Sequence, residues 1–317
     1  MQEPGDKEYL AAIACGSLLL GEFVANKEGS RRREKRRSRS KKMSKVLKDK
    51  KSAWRAIGED REPSLNRFGE ITREWSLDEH SRLLVDLAFS DPFAPYSLDF
   101  DQSDLLDGLR ALARELGREE TIVDDIESAR RSASNAHRGS VVRRMAIAGV
   151  AVAVTLGSAG WLAAPAIGAA LGSAAGLTGA AATAHGLALL GGGSLAAGGA
   201  GMAGGMWLVA GTATTVGLVG GSGSALLFEL GAAETRGELV KLQVTFRIAV
   251  LGSQADMLKA QQAIQALVEH ESELARALQR ERGLNDENST RVEALAEKLD
   301  DVIKAREWME QELAGAI

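Results

Sequence analysis

Two short patterns in the sequence have the residue types of a ligand site, one for a dinucleotide and one for calcium. Gly199, Gly201 and Gly204 have the spacing of a dinucleotide-binding turn, but no strand-like run precedes them and no acidic residue lies about twenty positions downstream. The run DFDQSD at residues 99–104 begins like a calcium loop, yet aspartate occupies the sixth position, which needs glycine, and Arg110 the twelfth, which needs glutamate. We predict that this run caps a helix instead.

The histidines and the single cysteine form no recognisable catalytic or metal-binding pattern. His80, His137 and His270 are far apart and have no second ligand at zinc-site spacing, which predicts packing or surface roles. The sequence has no Ser-His-Asp or Cys-His pattern and no phosphate-binding P-loop, so we predict no enzymatic activity and no cofactor. Cys15 alone cannot form an intrachain disulfide, which favours a cytosolic origin.

A block without any Asp, Glu, Lys or Arg occupies residues 145–228. It is far longer than the ~20 residues that cross a bilayer as one helix, and it shows no polar face of the kind that a water-exposed helix needs. Pro165 and the GGGS run at residues 191–194 divide it into segments of roughly one bilayer span, whose number stays open. We predict a membrane region, inserted permanently or on activation. The alternative is a Gly/Ala-rich hairpin buried within a soluble helical fold.

Small residues recur every fourth position within this block and place smooth stripes on the predicted helices. In lipid, helices associate through such stripes because their backbones can approach closely. We predict that the helices pack, within one chain or between copies, through Gly149, Gly157, Gly168, Gly172, Gly176, Gly201 and Gly205. His185 is the one titratable side chain of the block and a candidate pH sensor, since ionisable groups at membrane depth are often functional. The alternative places it at a helix end, where protonation costs little.

The first fifty residues combine an apolar stretch with a basic run. Residues 10–25 have the length of a signal-peptide core, but no positively charged region precedes them. We predict a buried or membrane-touching helix over residues 1–30 and no cleaved signal peptide; an uncleaved signal anchor is the alternative. We predict that residues 31–52 form a basic linker that attracts anionic lipid through Arg31, Arg32, Arg33, Lys35, Arg36 and Arg37. A solvated tether is equally compatible with this run, and nucleic acid is a weaker candidate partner because the first nearby aromatic residue is Trp54.

Two further regions show apolar residues at helical spacing. Residues 53–144 contain SRLLVDLAF and DLLDGLRALARELG and predict a soluble helical unit, and the arginines at its end place that side in the cytoplasm by the positive-inside rule. Residues 229–317 begin with VKLQVTFRI, which alternates like a strand but lies among helical patterns, so we predict a helix. Two apolar stretches around the turn-like GLNDENS then predict an antiparallel helical hairpin or coiled coil, which packs on the N-terminal helices, oligomerises or binds a partner protein.

Together these patterns predict an all-α protein in which soluble helical flanks surround a Gly/Ala-rich transmembrane or conditionally inserted hairpin bundle. This arrangement resembles α-helical pore-forming toxins and the membrane effectors of bacterial defence systems, on the strength of residues 145–228 and the C-terminal helices. The resemblance implies a chain made in the cytoplasm that associates with the bacterial inner membrane, forms homo-oligomers and permeabilises or remodels the bilayer. The alternative is a membrane-anchored scaffold whose flanks recruit a partner and permeabilise nothing. An enzyme with catalytic groups within residues 77–133 is the third and weakest interpretation.

Overall fold

The computed structural model describes residues 6–30, 34–56, 61–93, 98–137, 232–252, 256–284 and 289–316. Every regular element in these ranges is helical, which confirms the predicted fold class at that level. The α-helices are α1 (Asp6–Ser30), α2 (Glu34–Ala56), α3 (Leu65–Thr72), α4 (Leu77–Ala88), α5 (Gln102–Glu115), α6 (Thr121–Ala136), α7 (Ala232–Thr245), α8 (Met257–Leu284) and α9 (Thr290–Ala316). None of the helices in the described ranges is both long enough and apolar enough to cross a membrane. The uncharged block 145–228 lies outside those ranges.

The first helix, α1, is buried among four other helices. It packs against α2, α3, α4 and α5, and the side chains of Ala12, Cys15 and Leu20 are fully enclosed. Apolar residues lie on every side of α1, and a helix with that distribution is stable only when it is covered all round. Of the predicted buried or membrane-touching helix, the structure shows the buried form over residues 6–30.

The basic run is helical, which corrects the prediction of a linker. Helix α2 runs antiparallel to α1, with Arg39 lying 3.5 Å from Glu28 and Lys51 paired with Glu22. Lysine and arginine are good helix formers, and burial of apolar side chains against α1 offsets the repulsion among the charges. The buried side chains are Met43, Val46, Leu47 and Trp54. Their helical spacing was overlooked in the sequence because the basic residues between them suggested a solvated chain.

Local hydrogen bonds determine where α4 and α5 begin. Ser76 and Glu79 form a reciprocal cap on α4: the Glu79 amide donates to Ser76 Oγ at 3.3 Å, and the Ser76 amide donates to Glu79 Oε2 at 2.5 Å. Asp101 caps α5 by accepting a hydrogen bond from the Ser103 amide at 3.2 Å, which confirms the capping prediction for DFDQSD. Both caps satisfy backbone donors that have no partner within the helix.

The described helices share two hydrophobic cores. The first lies among α1–α5 and the start of α6, and the second lies among the end of α6, α7 and the α8–α9 pair. Helices α8 and α9 are antiparallel, as predicted, because Arg291 pairs with Glu281 while the later Arg306 pairs with the earlier Glu271. Helix α9 also packs against α6 and α7, so the hairpin is attached to the N-terminal helices.

Helix α7 contributes to both cores and is covered on almost every side. Residues 238–246 are all buried, and a π-helical turn, Phe246–Val250, continues the helix. This environment explains the strand-like alternation of VKLQVTFRI: both sides of the helix meet protein, so no continuous polar face marks the helical period. The prediction of a helix for this segment is confirmed.

Candidate functional site

A buried polar cluster joins the end of α6 to α7 and α9. This Asp301 cluster consists of His137, Arg236, Gln243, Glu297 and Asp301. One carboxylate oxygen of Asp301 lies 3.0 Å from His137 Nδ1, and the other accepts a hydrogen bond from Arg236 Nε at 2.8 Å. His137 Nε2 lies 2.8 Å from Gln243 Oε1, and Arg236 also pairs with Glu297. The side chains of His137 and Asp301 are 0% and 1% exposed, so their polar atoms depend on each other rather than on water.

Arg236 pairs with both carboxylates of this cluster. Burial alone would lower the pKa of the Arg236 guanidinium, but Asp301 and Glu297 raise it above its ordinary value. The guanidinium therefore stays charged and holds two carboxylates, one buried and one half exposed. Removing one member of such a group leaves an uncompensated charge away from water, which strongly destabilises a fold.

The Asp301 cluster contains residues from both sides of residues 138–231. His137 is the last described residue before residues 138–231, and Arg236 lies in the first turns of α7, which begins at Ala232. Both bind the same Asp301 carboxylate. The two ends of the segment that contains the uncharged block are thus fastened to one side chain of α9.

A second buried cluster fastens the opposite face of α7 to α1 and α4. This Asp86 cluster consists of Tyr9, Asp86, Glu238 and Lys241. The Tyr9 hydroxyl donates to Asp86 Oδ2 at 2.7 Å, and Lys241 Nζ lies 2.6 Å from Asp86 Oδ1. Burial, and then the Asp86 charge, raise the pKa of Tyr9 well above its ordinary value, so its hydroxyl remains a donor.

Two carboxyl groups and one ammonium group share the Asp86 cluster. Burial raises the pKa of Glu238 to about 8, Lys241 opposes this rise and Asp86 adds to it. Because Lys241 already pairs with Asp86, ionised Glu238 would add an unbalanced negative charge in a place without water. The surroundings of Glu238 therefore favour its protonated form.

The predicted site residues fall largely outside the part of the chain that the structure describes. This holds for all seven glycines of the stripes, for His185 and for the first three arginines of the basic run. Lys35 and Arg36 belong to α2, and Arg37 is exposed on it. His80, His137 and His270 are buried, in agreement with the packing role predicted for them.

Sequence reasoning missed the residues of both clusters. A usable signal was present for Asp86, which interrupts the apolar run SRLLVDLAF. One was also present for Glu238 and Lys241, which lie within the buried helix α7. A charged residue at a position that the helical pattern buries needs a charged partner. The partners themselves come from distant parts of the chain, and only the fold identifies them.

Two open clefts lie elsewhere on the described surface. One, of about 590 Å³, is lined by α8, and the other, of about 600 Å³, lies between the ends of α3 and α5. Neither includes a member of the Asp86 or Asp301 cluster. Among the described residues, no group of three or more His, Cys, Asp or Glu side chains is arranged to hold a metal ion. The two clusters thus connect helices and do not line either cleft.

His270 makes the stability of the α8–α9 hairpin sensitive to acid. Burial, and then the charge of Lys298, lower the pKa of His270 to about 4; Glu273 lies 4.0 Å from its Nδ1. Between pH 6.5 and pH 4 the unfolded chain takes up a proton that the folded chain does not, so stability falls as the pH falls through this window. In the wild type, uptake of this proton changes the unfolding equilibrium constant by up to about tenfold per pH unit. We expect His270→Leu to lack this part of the pH dependence. Urea unfolding at several pH values measures it, and identical slopes for the two proteins would contradict the prediction.

The described residues form a helical protein in which buried polar contacts tie the two flanks of a long uncharged segment to one another. No family model, curated protein or solved structure matches the chain. Its function is therefore inferred from its own residues.

Proposed function

We propose that the chain acts on a bacterial inner membrane through its uncharged block, residues 145–228, while the described helices hold the two ends of that block. The observation that carries the proposal is the shared Asp301 carboxylate, which binds His137 before the block and Arg236 after it. A segment that leaves a folded body and returns to the same place must enter and leave a membrane on the same side. The proposal therefore requires an even number of crossings.

The composition of the block supports a lipid environment. It carries no Asp, Glu, Lys or Arg, and its length allows several crossings of ~20 residues each. Gly168, Gly172 and Gly176 recur every fourth residue, a spacing that predicts one smooth helix face for close approach of a neighbouring helix. We propose that these stripes assemble copies of the chain into an oligomer that permeabilises the bilayer. The described helices then restrain the block or form the assembly surface.

The test is leakage of an encapsulated dye from liposomes that contain phosphatidylglycerol. We expect the wild-type chain to release dye and Gly172→Leu to reduce the release at least tenfold, because a leucine side chain separates helices that pack through small residues. Ala170→Leu is the matched control, since it adds the same side chain on the opposite face of the predicted helix and should keep the activity.

The outcomes of this experiment separate the alternatives. Chain that sediments with the liposomes without releasing dye would contradict permeabilisation and favour a membrane-anchored scaffold. Chain that stays in solution beside intact liposomes would contradict the membrane function, since the uncharged block would then be buried in protein. Equal leakage by Gly172→Leu and wild type would remove the glycine stripe from the mechanism.

A further inference from the structure

The strongest concentration of one charge in the described structure lies on the outer side of α2. This helix carries eleven Lys and Arg residues against two acidic residues, although the whole chain has a net charge of −4. Helix α2 therefore has a strongly positive net charge, opposite in sign to that of the whole chain.

The described basic side chains of α2 divide into two groups by burial, one partly buried and one exposed. Some serve the fold: Lys50 is partly buried and donates to the Pro92 carbonyl at 2.6 Å, Arg39 pairs with Glu28, and Lys51 pairs with Glu22. The exposed group forms what we call the outer face of α2. It comprises the exposed residues Arg37, Lys41, Lys42, Lys45 and Lys48.

The outer face has a regular shape. Arg37, Lys41, Lys45 and Lys48 recur every three or four residues and so form one stripe along the helix. At 1.5 Å per residue the stripe is roughly 17 Å long. Lys41, Lys42 and Lys45 make no hydrogen bond or ion pair within the described part of the chain. Their charges are available to a partner.

We propose that the outer face of α2 docks on a membrane surface by binding the headgroups of anionic phospholipids. Clusters of four to eight basic residues on a helix are typical of such binding, and a straight, rigid stripe suits a planar array of phosphates. The choice of a membrane as partner rests on the proposed function of the uncharged block. The attachment itself is a separate site, on residues far from that block in sequence.

Two observations favour lipid over nucleic acid as the occupant. Binding of single-stranded nucleic acid combines basic residues with aromatic side chains that stack on bases, but the one aromatic residue of α2, Trp54, is 2% exposed and its indole donates to the Arg61 carbonyl at 2.8 Å. Four of the five residues of the outer face are lysines, which act as point charges and lack the planar fork of arginine.

The experiment compares sedimentation of the full chain with phosphatidylcholine vesicles and with vesicles that also contain phosphatidylglycerol. The test variant is Lys41→Gln/Lys42→Gln/Lys45→Gln; glutamine keeps the helix propensity of lysine, and circular dichroism checks the fold. The matched control is Arg276→Gln/Arg280→Gln/Arg282→Gln, which removes the same charge from exposed positions of α8. We expect the test variant to lose on the order of 100-fold in its preference for the anionic vesicles, and the control to keep that preference.

The preference ratio also separates this site from the uncharged block. Insertion of the block would bind both kinds of vesicle and resist salt, whereas binding by the outer face requires phosphatidylglycerol and weakens as salt is added. A test variant that keeps the wild-type preference would overturn the proposal. So would a DNA duplex that displaces the wild-type chain from anionic vesicles at equal phosphate concentration, because it would assign the outer face to nucleic acid.

Discussion

Replacing Asp301 by alanine is expected to lower the free energy of unfolding by about 3–5 kcal/mol, the range for removal of one partner from a buried ion pair. The two oxygens of Asp301 lie at hydrogen-bond distance from His137 and Arg236, and its side chain is 1% exposed. Without it, Arg236 keeps its charge with only the half-exposed Glu297 as a partner. Urea unfolding followed by circular dichroism measures the change.

The adjacent residue offers a matched control. Asp300 is exposed and pairs with Lys304 one turn along the same helix, so Asp300→Ala should change stability by no more than about 0.5 kcal/mol. An Asp301→Ala variant as stable as Asp300→Ala would contradict the assignment of Asp301 as the centre of the cluster.

Hydrogen exchange distinguishes loss of this contact from general destabilisation. If Asp301 fastens the two flanks of residues 138–231, exchange in Asp301→Ala should rise first at the end of α6 and in α7. A uniform rise across all helices, with no excess at α6 and α7, would show that Asp301 contributes to stability without holding the two flanks in particular.

Replacing Glu238 by glutamine is expected to stabilise the protein at pH 8, by on the order of 5 kcal/mol if the whole pKa difference is realised. Burial raises the pKa of Glu238 in the folded protein to about 8, from an ordinary value of 4.5. Glutamine matches the neutral carboxyl group in shape and cannot ionise in the unfolded chain. The variant therefore avoids the free-energy cost of protonating a carboxyl group when the chain folds at this pH.

The pH window follows from these two pKa values. Below pH 4.5 both states of the chain carry the proton, and wild type and Glu238→Gln should have similar stability. Between pH 4.5 and pH 8 the unfolded wild-type chain releases the proton that the folded chain retains, so the stability of the wild type falls as the pH rises. The variant lacks this contribution, and its stability should fall less over the same window.

Glu269 supplies the control for this prediction. It is exposed on α8, and Glu269→Gln should follow the wild-type pH dependence within about 0.5 kcal/mol. Urea midpoints at pH 4.5, 6 and 8 for the three proteins test the prediction. Parallel curves for wild type and Glu238→Gln would mean that Glu238 is ionised in the folded protein and that Lys241 serves both carboxylates.

Local patterns were sufficient to predict the helices that have one polar side. The α8–α9 hairpin is visible in apolar residues spaced by three and four, and the start of α5 is visible in an aspartate before an apolar run. The apolar run of α1 predicted a buried or membrane-touching helix, and the structure shows it buried. In each case the signal lies within a few turns of the chain.

The basic helix α2 was mispredicted because its stabilisation is not local. Its own residues repel one another, and what holds it is the burial of Met43, Leu47 and Trp54 against α1. The repulsion among the basic residues can be predicted from the sequence alone. The burial can be predicted only once α1 is known to lie alongside α2. Once α2 is placed against α1, the structure shows which residues of the basic run form the outer face.

The sequence by itself determined the all-helical class, the ends of several helices and the presence of an uncharged block between charged flanks, because periodicity, capping and composition act over short distances along the chain. Only the tertiary structure decided that Asp301 meets His137 and Arg236, and that Lys241 meets Asp86. These partners are separated by 65 to 164 residues, and no local pattern selects one carboxylate for one cation. Their pairing follows from which helices pack together, since a buried charge is stable only where the fold brings its partner.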